Sequence, residues 1–185
     1  EMLRSLVGSE MCIRDSYKVV PTVELKSAVS GEQPAAPELE VLEFEVTPYG
    51  GDATITDFAF TFDLYAEATS SESGTDLFML YDEDDNKLDS KTLGDVFDAS
   101  TATSSVEVVF DSMSPQQVLT EEETKTYTLK VNASALTELD TQVKWLKVTA
   151  DYLKTEDGIT EDTPSTLIPG LKDVKTGLIQ FDVSS

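Results

Sequence analysis

The chain contains no histidine, a single cysteine (Cys12) and a single tryptophan (Trp145). Without histidine, no Ser-His-Asp triad, Cys-His dyad or His-based zinc site can be built within one chain. The side chain that most often serves as general base near neutral pH is missing as well. Catalysis would have to run on carboxylates, lysine, tyrosine or hydroxyls alone. Basic residues are scarce: 13 Lys and Arg stand against 36 Asp and Glu, a formal net charge of -23. A field of that sign repels nucleic acid and anionic membranes. It suits solubility, high external salt, or cation binding at an exposed surface. No stretch reaches the ~18 apolar residues of a membrane-spanning helix. No secretory signal of ordinary form is visible.

What is present is enough for one globular domain. Apolar residues make up 39% of the 185, and a chain of that length forms a core without disulfides or metals. Composition shifts abruptly after the opening EMLRSLVGSEMCIRDS, which holds both arginines (Arg4 and Arg14), Cys12, Met2 and Met11. From Tyr17 onward every basic residue is lysine. Residues 1–16 are similar to the conceptual translation of sequencing-adapter DNA, and on that resemblance they are expected to lie outside the fold. The alternative is a short amphipathic lead-in helix with Leu3, Leu6 and Met11 on one side.

The remainder reads as short strands between polar turns. YKVVPTVELKS (17–27) is β-branched and extended, with Pro21 compatible with an edge strand only. SGEQPAAPE (30–38) reads as a linker, so that 17–38 forms an extended strand plus a Pro/Ala-rich connection ahead of a 39–185 domain. In LEVLEFEVTP, Leu42, Phe44 and Val46 alternate with Glu43, Glu45 and Thr47, a period of two with one buried face. In ATITDFAFTFDLYA, Ala53 and Ile55 keep one phase while Phe58, Phe60, Phe62 and Leu64 keep the other. A slip near Asp57 predicts a β-bulge or a crossing between sheets. DLFMLYDE and KLDSKTL form a hairpin around DDNK, and VEVVFDS and TKTYTLKVNA follow as strands. ASALTELD (133–140) predicts one or two helical turns. VKWLKVTADYLK carries a second slip, between Val143 and Trp145 on one phase and Val148, Ala150 and Tyr152 on the other. The last strand alternates through Ile179, Phe181 and Val183. Nine or ten strands at this spacing predict an all-β two-sheet sandwich with Phe44, Phe60, Phe62, Leu80, Leu129 and Trp145 in the core.

The order of LEVLEFEVTPYGGDATITDFAFTF, LFMLYDEDDNKLDSKTL and TEEETKTYTLKVNAS resembles the immunoglobulin-like modules strung along large bacterial and archaeal cell-surface proteins, such as adhesins and surface-layer proteins. The resemblance covers roughly residues 39–154. It implies an immunoglobulin-like sandwich, an extracellular or cell-surface location, a structural or adhesive role, no catalytic residues, and partners that are other modules or like subunits. Strand exchange within a filament or surface layer, and carbohydrate binding, are the alternatives. The Cys–Trp–Cys spacing of antibody domains is absent.

Among local features, YDEDDNKLD concentrates oxygen donors. Asp82, Asp84, Asp85 and Asn86 are the candidate calcium ligands, since hard cations take six to eight oxygens. Asp82, Asp84 and Asn86 have the alternate spacing of an EF-hand start, but Lys87 stands where that loop needs Gly and Leu93 where it needs the closing Glu. A solvated turn is the competing reading, and no cofactor is expected otherwise. With 36 acids, a glycosidase-like carboxylate pair arises by chance. Trp145 reads as core rather than as a sugar platform. Asn132-Ala133-Ser134 is an N-glycosylation sequon.

Overall fold

The structure is a computed structural model that describes residues 19–64, 75–96, 105–138, 145–156 and 168–182. The expected leader 1–16 lies outside these residues, as do Val143 and Val183.

Eleven strands are described: β1 (Val20–Ala28), β2 (Gly31–Pro34), β3 (Leu39–Tyr49), β4 (Ala53–Leu64), β5 (Asp76–Tyr81), β6 (Lys87–Thr92), β7 (Ser105–Phe110), β8 (Gln117–Leu119), β9 (Lys125–Val131), β10 (Trp145–Thr155) and β11 (Ile179–Asp182). Two short helices interrupt them, α1 (Leu93–Val96) and α2 (Ala133–Glu138), with a 3₁₀ turn at Leu171–Asp173. A five-stranded sheet runs β1-β3-β9-β5-β6 and a six-stranded sheet runs β2-β11-β10-β4-β7, with β8 beside β4. Within these, β1-β3-β9-β5 and β11-β10-β4 match in chain order the ABED and GFC sheets of the immunoglobulin sandwich. The expected fold class, all-β and immunoglobulin-like, is therefore what the chain adopts.

The core is aromatic and spans both sheets. Phe44 of β3 meets Phe58 and Phe60 of β4 at centroid distances of 5.5 and 5.8 Å. Phe58 lies 4.9 Å from Tyr127, Phe60 lies 6.1 Å from Phe110, and Phe62 lies 4.4 Å from Phe78. Such offset and edge contacts add to the burial of the rings themselves. Of the expected core, Phe44, Phe60, Phe62, Leu80 and Leu129 are each at most 1% exposed.

Trp145 is the exception, being only half-buried. The inward phase of β10 runs Leu146, Val148, Ala150 without interruption, and Trp145 falls on the other side of the strand, opposite Gln180. The slip occurs later, at a bulge that leaves Asp151 without an opposite residue on β4. The slip predicted near Asp57 is present: Lys154 pairs with Asp57 and Thr155 with Ile55, so Thr56 is the extra residue.

Residues 30–38, expected as a linker, hold β2, which pairs parallel with β11. On the β2 side this pairing is made by backbone and carries no apolar alternation. Just ahead of it the two segments approach closely, since a Cβ on Gly177 would sit 2.8 Å from the Cβ of Ser30. Likewise β8, which pairs with β4, lies between the expected strands VEVVFDS and TKTYTLKVNA, where no strand was expected.

The outer edge of β1 is covered. Pro21 lacks an N–H to offer there, the Val23 N–H donates to the Pro169 carbonyl at 2.8 Å, and a bulge between Leu25 and Ser27 breaks the line beyond. The segment that follows laces this edge to the other sheet. Ala150 N–H donates to Val174 O at 2.8 Å and Thr176 N–H to Val148 O at 2.9 Å. Ile168, Leu171 and Val174 are buried beneath it.

The register fixes the poles. Val20 pairs with Tyr49 beside the β3–β4 turn, so β1 enters at that end. Ile179 and Gln180 pair with Leu146 and Trp145, and Leu146 pairs with Leu64 at the far end of β4. The last strand β11 therefore leaves at the opposite pole.

Candidate functional site

The β5–β6 hairpin brings the candidate calcium ligands to one tip but turns them to different partners. Asp82 closes the turn. Its Oδ1 accepts from the backbone N–H of Asp84 at 3.0 Å and of Asn86 at 2.8 Å, and Asn86 Nδ2 donates to its Oδ2 at 3.1 Å. This is the side-chain mimicry of a backbone turn that Asp provides readily. Burial pushes the Asp82 carboxyl up, but the hydrogen bonds from Asn86 and Asp84 outweigh it and hold the group below the usual carboxylate range. Asp85, at φ 61, swings away from Asp82 and meets Lys130.

Lys130 is 5% exposed, unusual for lysine. Its Nζ lies 2.5 Å from Asp85 Oδ1, 3.7 Å from Glu40 Oε1 and 4.2 Å from the centre of the Tyr81 ring. Burial alone would lower its pKa, but Asp85 and then Glu40 raise it above the ordinary value, so the ammonium stays charged. The tip is thus latched onto the outer face of β9 by one desolvated cation. Sequence reading missed this, because a lysine between Leu129 and Val131 in an alternating strand looks solvent-facing.

Among the described residues, no group of at least 3 His, Cys, Asp or Glu side chains is placed to hold a metal ion. Beside the tip, a notch of about 140 Å³ is lined by Asp82, Glu83, Asp84, Gln116 and Lys125. Titration calorimetry is expected to show no calcium heat for either the unaltered chain or Asp84→Asn. Binding that Asp84→Asn abolishes would restore the tip as a cation site. Asp82→Ala, by contrast, is expected to cost about 1–2 kcal/mol in urea unfolding through the lost turn bonds.

A wider cleft of about 430 Å³ lies where β6 of one sheet faces β7 of the other, lined by Asp89, Lys91, Asp95, Glu107 and Asp111. Lys91 bridges the sheets, at 3.4 Å from Asp89 and 2.7 Å from Asp111. Ser112 N–H donates to Asp89 Oδ2 at 3.1 Å and Ser114 N–H to Leu88 O at 2.9 Å. The open side of the sandwich is closed here by polar groups.

Glu107 stands apart from that network. Glu107 is exposed, yet partial desolvation in the cleft, and then the charge of Asp151 at the β10 bulge, push its carboxyl above the usual range. The folded state then resists ionising a group that ionises freely when unfolded. The resulting destabilisation is full above the folded-state pKa and absent below the unfolded one. Glu107→Gln is expected to raise the melting midpoint at pH 7, with the advantage shrinking to nothing as pH falls to about 4. An equal gain at both pH values would assign the effect to packing.

Asn132 is committed to structure. Its Oδ1 accepts from Ala135 N–H at 3.0 Å, capping α2, and its Nδ2 donates to Asp76 O at 3.3 Å. The sequon's Ser134 hydroxyl donates to Ala35 O at 2.8 Å.

No protein-family model matches the chain, and no curated protein does. Among solved structures it is similar to AvmM, described as catalysing macrocyclization in alchivemycin A biosynthesis. The identity is 13%, over 86% of this chain and 84% of that one, with a TM-score of 0.38. It is also similar to a type III cohesin module from the cellulosomal ScaE cell-surface anchoring scaffoldin of Ruminococcus flavefaciens. There the identity is 18%, over 91% of each chain, with a TM-score of 0.25. At those scores neither likeness informs the function.

Proposed function

We propose that the chain is a non-catalytic structural module of an extracellular surface protein, one unit in a series. The observation that carries this reading is the placement of the terminal strands, with β1 entering at one pole and β11 leaving at the other. A sandwich threaded in this way joins to neighbours end to end without the chain doubling back. The net charge of -23 keeps such a series soluble and extended by self-repulsion. The core is filled by aromatic rings in contact across both sheets, which suits a rigid spacer. Its partners in this reading are adjoining modules of the same surface protein, and no helix among the described residues is long and apolar enough to cross a membrane. The test is antibody labelling of the source cells. Labelling of unbroken cells is expected, and labelling only after lysis would sink the proposal.

A second reading, carbohydrate binding, is favoured by one observation: Trp145 and Tyr152 are both half-buried on β10, with Trp145 off its inward phase. Trp145 is the only tryptophan, so its fluorescence reports directly on a sugar at that face. Emission unchanged by a panel of soluble polysaccharides would remove this reading.

A further inference from the structure

We propose that the outer face of β10, with the segment that runs beside it into β11, binds an acidic polysaccharide. The proposal rests on the carbohydrate reading above and names the class of polymer that face would take.

Lysine is scarce in this chain and mostly engaged. Lys26, Lys87, Lys91, Lys130 and Lys154 are each ion-paired to a carboxylate. Lys125 donates to the Val118 carbonyl at 2.9 Å. Lys147, Lys172 and Lys175 enter no ion pair among the described residues, although the sequence holds 36 acids. Two of these three meet on one surface. Lys147 is exposed on the outward phase of β10, between Trp145 and Thr149. Lys175, also exposed, stands opposite Thr149 across an antiparallel bridge, and residues so paired point to the same side of a sheet. Asp63 stands opposite Lys147 on β4 without pairing to it.

The strand rise and the spacing between strands put Trp145, Lys147 and Lys175 within about 15 Å of one another on this pleated surface. Gln180 lies opposite Trp145, and Leu178, 46% exposed, precedes Gln180 by two residues. Thr61 lies opposite Thr149 on β4. An indole offers a flat apolar body with a polar edge, which suits the C–H face of a sugar ring. The threonine hydroxyls and the Gln180 amide suit sugar hydroxyls. A neutral polymer would leave the two ammonium groups unanswered, whereas a carboxylate or sulfate on the sugar meets them. The net charge of -23 opposes approach chiefly at long range. Salt screens beyond about 8 Å under physiological conditions, so carboxylates on the opposite sheet count for little at contact.

The test uses the full chain with three polymers: polygalacturonate, its methyl ester and polyglutamate. Polygalacturonate is expected to shift Trp145 emission and to retard the chain in a native gel. The ester keeps the backbone but loses the charge, and is expected to bind at least about tenfold more weakly. Polyglutamate keeps the charge without the sugar and is expected to leave the emission unchanged. Lys147→Gln combined with Lys175→Gln should weaken polygalacturonate binding at least about tenfold at an unchanged melting midpoint. Lys26→Gln makes a single change of the same kind on the other sheet and should stay within about twofold. Equal binding of acid and ester, or undiminished binding by the double variant, overturns the proposal and leaves the carbohydrate reading standing. Polyglutamate binding as tight as polygalacturonate, or a Lys26→Gln loss as large as that of the double variant, assigns the effect to charge alone and also overturns it. Absence of polygalacturonate binding overturns it as well, and the carbohydrate reading then falls only if neutral polysaccharides fail too.

Discussion

Truncating Phe60 to alanine is expected to lower the unfolding free energy by about 3–5 kcal/mol, among the larger single losses the sandwich can show. Phe60 sits mid-way along β4, opposite Ala150 on one side and Val108 on the other, and is 1% exposed. Its ring reaches Phe44 across the core at 5.8 Å and Phe110 along its own sheet at 6.1 Å. Removing it leaves a cavity whose walls are strands held by their own ladders and unable to collapse inward. Urea unfolding should show a lower midpoint with an unchanged slope. A loss under about 1 kcal/mol would mean that the two sheets can close over the gap, and that the ring network is not what holds them apart.

The second large effect is expected at Gly170, where alanine should cost about 3 kcal/mol or more. The glycine has φ 83, and a Cβ placed there would lie 1.7 Å from the carbonyl oxygen of Val23 and 2.9 Å from its carbon. The obstacle is backbone, so no side chain can yield. The turn must lift off β1, breaking the Val23–Pro169 hydrogen bond and loosening the burial of Ile168 and Leu171. Hydrogen exchange separates the contributions: the Val23 amide should lose protection while the Leu129 amide in the central strand keeps it until global unfolding. Retained protection at Val23 in Gly170→Ala would refute the role given to this contact.

Elements whose burial alternates were legible in the sequence. Leu42, Phe44 and Val46, or Tyr127, Leu129 and Val131, each announce one buried face, and the helical turns at 133–138 and the slip at Thr56 could be read the same way. Elements defined by backbone pairing alone could not. Strand β2 has no buried side chain in Gly31–Pro34, and its place is set by the strand it lies against. Trp145 misled because Val143 suggested a phase that Leu146, Val148 and Ala150 override. At the hairpin tip the cluster of acids was plain, but its use was not. That Asp82 folds the turn while Asp85 reaches Lys130 depends on a positive φ at Asp85 and on a lysine 45 residues away.

The covered edge of β1 has a consequence for many copies crowded on one surface. Protein at such density meets its neighbours continually, and an open strand edge would turn each encounter into a template for further pairing. Here the proline at position 21, the Pro169 carbonyl on Val23 and the bulge after Leu25 leave no run of free donors on that side. The β1 edge therefore gives a neighbouring copy no template for strand pairing, so any pairing between copies has to use another of the edge strands β6, β2 or β7.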